Sequence, residues 1–186
     1  MTKTLDPPAG IEVGDDLHLR LFEERDAEEV ARAVGESLEH LKPWMPWADA
    51  QSADPAFQRE RLRKLPGLAR RQEEWQYGLF GSDDARVLGS FGLMTRRGPG
   101  TLEIGYWLHV DVTGRGYATR AVDALTVVAC TLPDVRQVLI FCDEANDSSA
   151  AIPRRLGYKL VRVDSRIAEA PGETGRQMMW ARPGES

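Results

Sequence analysis

The chain has 186 residues, 42% of them hydrophobic and 28% charged, which is the make-up of one globular domain and not of a fibrous or disordered chain. Its 24 basic and 29 acidic residues are mixed along the sequence and leave a net charge of −5, which argues against a protein that coats nucleic acid. No apolar run reaches the ~18 residues of a membrane span. The first 16 residues lack the apolar stretch of a secretory signal, so a cytoplasmic protein is expected.

Residues 1–16 are rich in Pro, Gly and Asp and are expected to be a flexible lead-in to a domain over 17–183. Residues 17–22 (LHLRLF) alternate and predict a strand. Asp26 precedes Val30, Val34, Leu38 and Leu41, one face of a helix that Asp26 would cap and Pro43 would stop. A second, more polar helix is expected over 55–74. From Trp75 the period changes to two, and residues 75–80, 86–95 and 101–110 predict three strands separated by GSDD and RRGPG. In the third, Leu102, Ile104, Tyr106, Leu108 and Val110 face one way; Glu103, Gly105, Trp107 and His109 face the other. A helix bearing Ala121, Val122, Leu125 and Ala129 follows. Then come a buried strand at 136–142, a short helix at 147–156 and strands at 158–163 and 177–182. This order predicts one α/β sheet with helices on both faces.

Cys130 and Cys142, the only cysteines, read as reduced core residues. His18, His40 and His109 have no Cys or carboxylate at ligand spacing, so no metal is expected.

The sharpest local feature is Val110–Thr119, where a strand runs through T-G-R-G-Y-A-T into a helix. Glycines there let backbone N–H groups converge on an anion. The helix start adds unpaired donors and its positive dipole end, and Arg115 adds a charge suited to phosphate. A tight turn needing glycine for geometry alone accounts for the loop equally well. A P-loop is excluded because Tyr117 and Ala118 stand where Lys and Ser/Thr are required. A dinucleotide fingerprint is excluded because Thr119 occupies its third small position.

In these residues the chain resembles the GNAT superfamily of N-acetyltransferases, within it the branch that acetylates ribosomal-protein N-termini. The resemblance rests on Gly-Arg-Gly-Tyr-Ala-Thr at 114–119, Glu-Ile-Gly-Tyr-Trp-Leu at 103–108 and Asn-x-x-Ser at 146–149. Leu-Gly-Tyr at 156–158 and Leu-Lys-Pro-Trp-Met-Pro-Trp at 41–47 add to it. Thr113 departs from the family's Gln/Arg. The resemblance implies a mixed, mostly antiparallel sheet of six or seven strands, splayed at its centre, with acetyl-CoA in the splay. It implies pantetheine beside Leu108, His109 and Val110, and pyrophosphate on Gly114, Arg115, Gly116, Tyr117, Ala118 and Thr119. Asn146 and Ser149 would contact the cofactor arm, and a homodimer is expected, with Met178, Met179 and Trp180 as either its interface or core.

Acetyl transfer to an amine needs a proton acceptor, a stabilised oxyanion and a protonated leaving thiolate. Glu103 is the candidate base and His109 its competitor. The family's tyrosine acid is absent because Pro153 stands there, which leaves Ser149 as the candidate acid. Trp44 and Trp47 either line the acceptor pocket or plug the core. The acceptor would be a protein N-terminus or a small-molecule amine. The alternatives are a non-catalytic acyl-CoA-binding module and a nucleotide-phosphate binder.

Overall fold

The computed structural model describes residues 4–184. Its elements are β1 (Gly10–Glu12), β2 (Leu17–Leu21), α1 (Ala27–Leu41), α2 (Pro55–Arg70), β3 (Glu74–Gly81), β4 (Val87–Met94), β5 (Thr101–Leu108), α3 (Tyr117–Thr131), β6 (Gln137–Asp143), α4 (Asp147–Arg155), β7 (Lys159–Ser165) and β8 (Arg176–Pro183). The strands form one sheet in the order β1-β2-β3-β4-β5-β6-β8-β7. Every neighbouring pair is antiparallel except β5 and β6. A parallel pair needs a crossover, and α3 supplies it.

Period-two alternation divides the core between the two faces. On one face Leu19, Leu79, Phe91, Leu93 and Ile104 pack with Ala121, Val122 and Leu125 of α3. On the other, Phe22, Phe80 and Val87 pack with Val30 and Val34 of α1 and Leu62 and Leu65 of α2. Each fully buried side chain of this kind contributes about 1.5–3 kcal/mol.

Five expectations are corrected or narrowed. The loose lead-in does not hold for residues 4–16: β1 pairs with β2, and Tyr77 Oη donates to Pro8 O at 2.9 Å. Residues 1–3 lie outside the described residues. The extra strand β1 raises the sheet from six or seven strands to eight. Asp26 does not cap α1 with its side chain; its carboxylate accepts from Glu23 N and from Arg20, closing the turn before the helix. The second helix stops at Arg70, and Gln72 takes a left-handed φ of 58°, which breaks helical hydrogen bonding and starts β3 at Glu74. Met178 and Trp180 are core, 7% and 5% exposed, because β8 is an inner strand; they present no interface.

Candidate active site

The register of β3, β4 and β5 sets three rows of side chains on the α1/α2 face: Glu74–Met94–Glu103, Gln76–Gly92–Gly105 and Gly78–Ser90–Trp107. The middle row has two glycines, so the sheet is bare there and the Gln76 side chain lies across Gly92. A cavity of about 600 Å³ opens over this floor. Its aromatic wall is Trp44, Trp47, Phe57 and Trp107, with Trp47 tilted against Trp107 at 6.2 Å between centroids. The loop between β7 and β8 forms the far wall: Arg166 and Glu173 pair there, and Gly172 N donates to Pro43 O at 2.8 Å beside the tryptophans.

The same cavity reaches through the sheet where β5 and β6 part. They pair only from Thr101↔Gln137 to Ile104↔Ile140, although the strands run on to Leu108 and Asp143. Residues 101–104 of β5 are accordingly buried and 105–108 only half-buried. His109 N donates to Leu88 O of β4, which fixes the alternation. The odd-numbered residues pair with β4, and Tyr106 and Leu108 turn their backbone N–H and C=O toward the gap. Those groups offer a ladder edge to an extended ligand.

Beyond β5, a turn leads to α3. Gly114 and Gly116 have φ of 74° and 78°, a region open to glycine and strained for other residues. A Cβ on either would meet nothing within 4 Å, so empty space and not packing faces these amides. No side chain caps α3, and its first helical bond is Arg120 N to Gly116 O. The N–H groups before it are left for a ligand, at the positive end of the helix dipole. Thr113 Oγ1 donates to Val110 O and closes the turn. This edge and these amides suit a pantetheine arm and a pyrophosphate.

On the far side of the gap, Asn146 Oδ1 accepts from Ser149 N and caps α4. Ser149 Oγ lies 3.1 Å from Tyr106 Oη, which also donates to Ser149 O. Burial drives the Tyr106 phenol pKa upward, so it stays protonated. Cys142 lines the cavity here; burial pushes its thiol up to about 11, which leaves it unreactive at neutral pH.

Glu103 lines the cavity and is only 3% exposed. Its carboxylate is clasped by Arg96 and Arg97 from the β4–β5 turn, and this bond holds the Arg96 guanidinium above its ordinary pKa. Three N–H groups occupy its oxygens, and one of about four acceptor positions, on Oε1, remains.

The structure excludes His109 as a competing base. The ring is 1% exposed, Nε2 bonds Glu36 at 2.8 Å and Nδ1 accepts from Asp111 N. It holds the loop against α1 and is turned away from the gap. Val110 N likewise donates to Ser37 Oγ, so neither residue offers an N–H to the cofactor arm. Glu36, His109 and Asp111 do cluster, a tertiary contact invisible in sequence spacing, but Arg86 stands 3.6 and 3.7 Å from the two carboxylates and balances their charge.

Several lining residues escaped sequence reasoning: Arg61 on α2, Glu74, Gln76 and Ser90 on the floor, and the Arg96–Arg97 clasp. Only the last left a signal, two arginines in a turn seven and six residues before a strand glutamate.

The sequence pattern of the GNAT acetyltransferase domain matches residues 16–159. The chain belongs to the GNAT acetyltransferase family. It is an acetyl-CoA-dependent N-acetyltransferase that acylates a primary amine. This GNAT enzyme is 24% identical over 147 residues to the [ribosomal protein uS5]-alanine N-acetyltransferase of Escherichia coli K12, with 78% of this chain and 76% of that protein covered. It is 28% identical over 153 residues to YdaF of Bacillus subtilis 168, covering 78% and 79%. Among solved structures, the ribosomal L7/L12 α-N-acetyltransferase RimL in complex with coenzyme A superposes with a TM-score of 0.83 at 21% identity, covering 94% and 97%. The microcin C7 self-immunity acetyltransferase MccE, solved with acetyl-CoA and AMP, gives 0.84 at 20% identity, covering 97% and 98%.

Proposed function

We propose that the acceptor is the α-amine of a peptide or protein N-terminus, entering by the tryptophan-lined side of the cavity. The observation that carries this reading is the through-sheet cavity: a bare, glycine-floored slot on one face meets an open strand edge on the other, so that an extended chain can bring its terminal amine to the gap. The names of relatives that act on ribosomal-protein N-termini support it.

Acetyl-CoA supplies the acyl group as a thioester. In this reading the backbone of Leu108 and the amide of Asn146 hold the pantetheine arm. Gly114, Arg115, Gly116, Tyr117, Ala118 and Thr119 form the pyrophosphate cradle. Trp44 and Trp47 grip the acceptor. Glu103 takes the ammonium proton at its one open Oε1 position, directly or through a water. An α-amine with a pKa of about 8 asks little of its base. Ser149 Oγ, placed by the Tyr106 phenol, relays a proton to the departing thiolate, taking one from solvent as it gives its own.

The domain over residues 17–183 is extended by β1, which pairs with β2 as the outermost strand of its sheet. No described helix is long and apolar enough to cross a membrane, and two buried cysteines support a cytoplasmic setting. The exposed outer strand β7, with Leu160, Val161 and Val163, supports a homodimer; light scattering that finds a monomer at working concentration removes that assignment.

The test is thiol release from acetyl-CoA with a panel of N-terminal peptides, amino acids and polyamines. Turnover is expected with free-N-terminus peptides and not with their N-formyl forms. Turnover confined to polyamines or amino acids overturns the peptide reading. Binding of acetyl-CoA with no turnover of any amine favours the non-catalytic module.

A further inference from the structure

The acceptor cavity is charged unevenly, and the imbalance has a consequence for the sequence of the acceptor. Of the arginines that line it, Arg96 and Arg97 pair with Glu103, and Arg166 pairs with Glu169 and Glu173. Arg61 has no carboxylate within ion-pair distance among the described residues. Its Nε donates to Gln58 Oε1 at 2.8 Å. Gln58, 2% exposed, is itself anchored by donating to Ser52 O at 2.6 Å. The guanidinium is thus aimed by a buried amide while its terminal N–H groups stay open to the cavity. Burial lowers its pKa, and the charge of Glu74 nearby, beyond ion-pair distance, offsets this only in part.

The opposite charges sit elsewhere. On the α2–β3–β5 side, Arg61 and Arg96 face Glu74 and Glu103, with no excess of negative charge. On the wall formed by the end of β6 and the β7–β8 loop, Arg97, stacked over Phe141, and Arg166 face Asp143, Glu169 and Glu173, which leaves one negative charge. An acceptor that is cationic at the gap and anionic over β3 matches this polarity.

Distance then selects the anion. The amine must react at the gap beside β5. Arg61 stands on α2, which packs on β3, two strands away, or roughly 10 Å at the usual strand spacing. The carboxylate of a free α-amino acid lies next to its amine and cannot reach. An extended residue advances about 3.5 Å, so the side chain of the second residue of a peptide reaches this far. We propose that Arg61 is a specificity residue that binds an acidic side chain, Asp or Glu, at the second position of an N-terminal peptide acceptor. This rests on the peptide reading given above.

The test compares kcat/KM for C-terminally amidated peptides Ala-Asp-Gly-Gly, Ala-Asn-Gly-Gly and Ala-Lys-Gly-Gly, together with the dipeptide Ala-Ala and its amide. The wild-type enzyme is expected to favour the Asp peptide over the other two tetrapeptides by at least about tenfold, the scale of a charge-assisted hydrogen bond. Arg61→Gln should remove that preference by raising KM for the Asp peptide. Arg61→Glu should turn the preference toward the Lys peptide, a reversal that loss of folding cannot produce. Equal kcat/KM for the three tetrapeptides, or a preference that survives in Arg61→Gln, overturns the proposal and leaves the peptide reading intact. A preference for Ala-Ala over its amide with none for the Asp peptide assigns the anion to a chain terminus and overturns the second-residue assignment. Turnover of no peptide at all overturns the peptide reading and this proposal with it.

Discussion

The cradle at 114–119 and the acceptor cavity are built from different materials. The cradle is backbone: two left-handed glycines and an uncapped helix start. In the role proposed for it, it takes any phosphate placed there, and one substitution acts on it by blocking space. The cavity is side chains from α2, β3, the β4–β5 turn and the β7–β8 loop, brought together only by sheet register and packing. Its specificity depends on paired charges that can be altered one at a time. A shared co-substrate suits the first kind of site, and an acceptor that differs between relatives suits the second.

The largest expected effect breaks the cavity's chemistry without touching the cradle. Glu103→Gln should lower kcat by roughly 10²-fold at neutral pH, the scale of general-base effects. The deficit should narrow as pH rises toward the amine's own pKa of about 8. A deficit independent of pH assigns Glu103 to holding Arg96 and Arg97 instead.

A smaller effect separates chemistry from support. His109→Ala removes the bonds to Glu36 and to Asp111 N and should cost about 1–3 kcal/mol of stability, as a buried partner is lost. The shape of the pH–rate profile should not change. A lost limb of that profile would show that the imidazole titrates in catalysis.

The smallest effect concerns the wall. Asp143 is 3% exposed; burial alone would raise its pKa, but bonds from Ala145, Thr174 and Gly175 outweigh this and hold it low. A carboxyl lowered on folding adds stability above its unfolded value, about 3.9, and loses it as pH falls through the folded value. Asp143→Asn should therefore cost about 1 kcal/mol at pH 7, and the cost should shrink as pH falls through the folded value, measured by denaturant titration at neutral and strongly acid pH. An equal cost at both pH values assigns the loss to geometry.

How much was legible follows from the same contrast. Strands β2 to β5 were readable because alternation is a local property, and the cradle because glycines before a helix start carry their meaning in sequence order. Glu103, Trp44 and Trp47 could be named as cavity candidates for their residue types and strand phase. The clasp on Glu103 could not, since it needs a turn folded back over the strand. Arg61 and Glu74 were silent because a helix arginine and a strand glutamate look like solvated charge until α2 lies on β3. His109 misled for the reverse reason: its position beside the cradle is local, while Glu36, which engages it, lies 73 residues away. β1 was missed because three residues between proline and glycine carry too short a period, and pairing with β2 alone makes them a strand.

The central claim is that the cradle, and not the cavity, holds the pyrophosphate of acetyl-CoA, and calorimetric titration with CoA tests it most directly. Gly116→Val puts a branched side chain into the open space before the α3 amides. With the fold verified by circular dichroism, it should weaken CoA binding by tenfold or more, while Glu103→Gln stays within about twofold of the wild type. A folded Gly116→Val enzyme that binds CoA as tightly as the wild type would contradict the account.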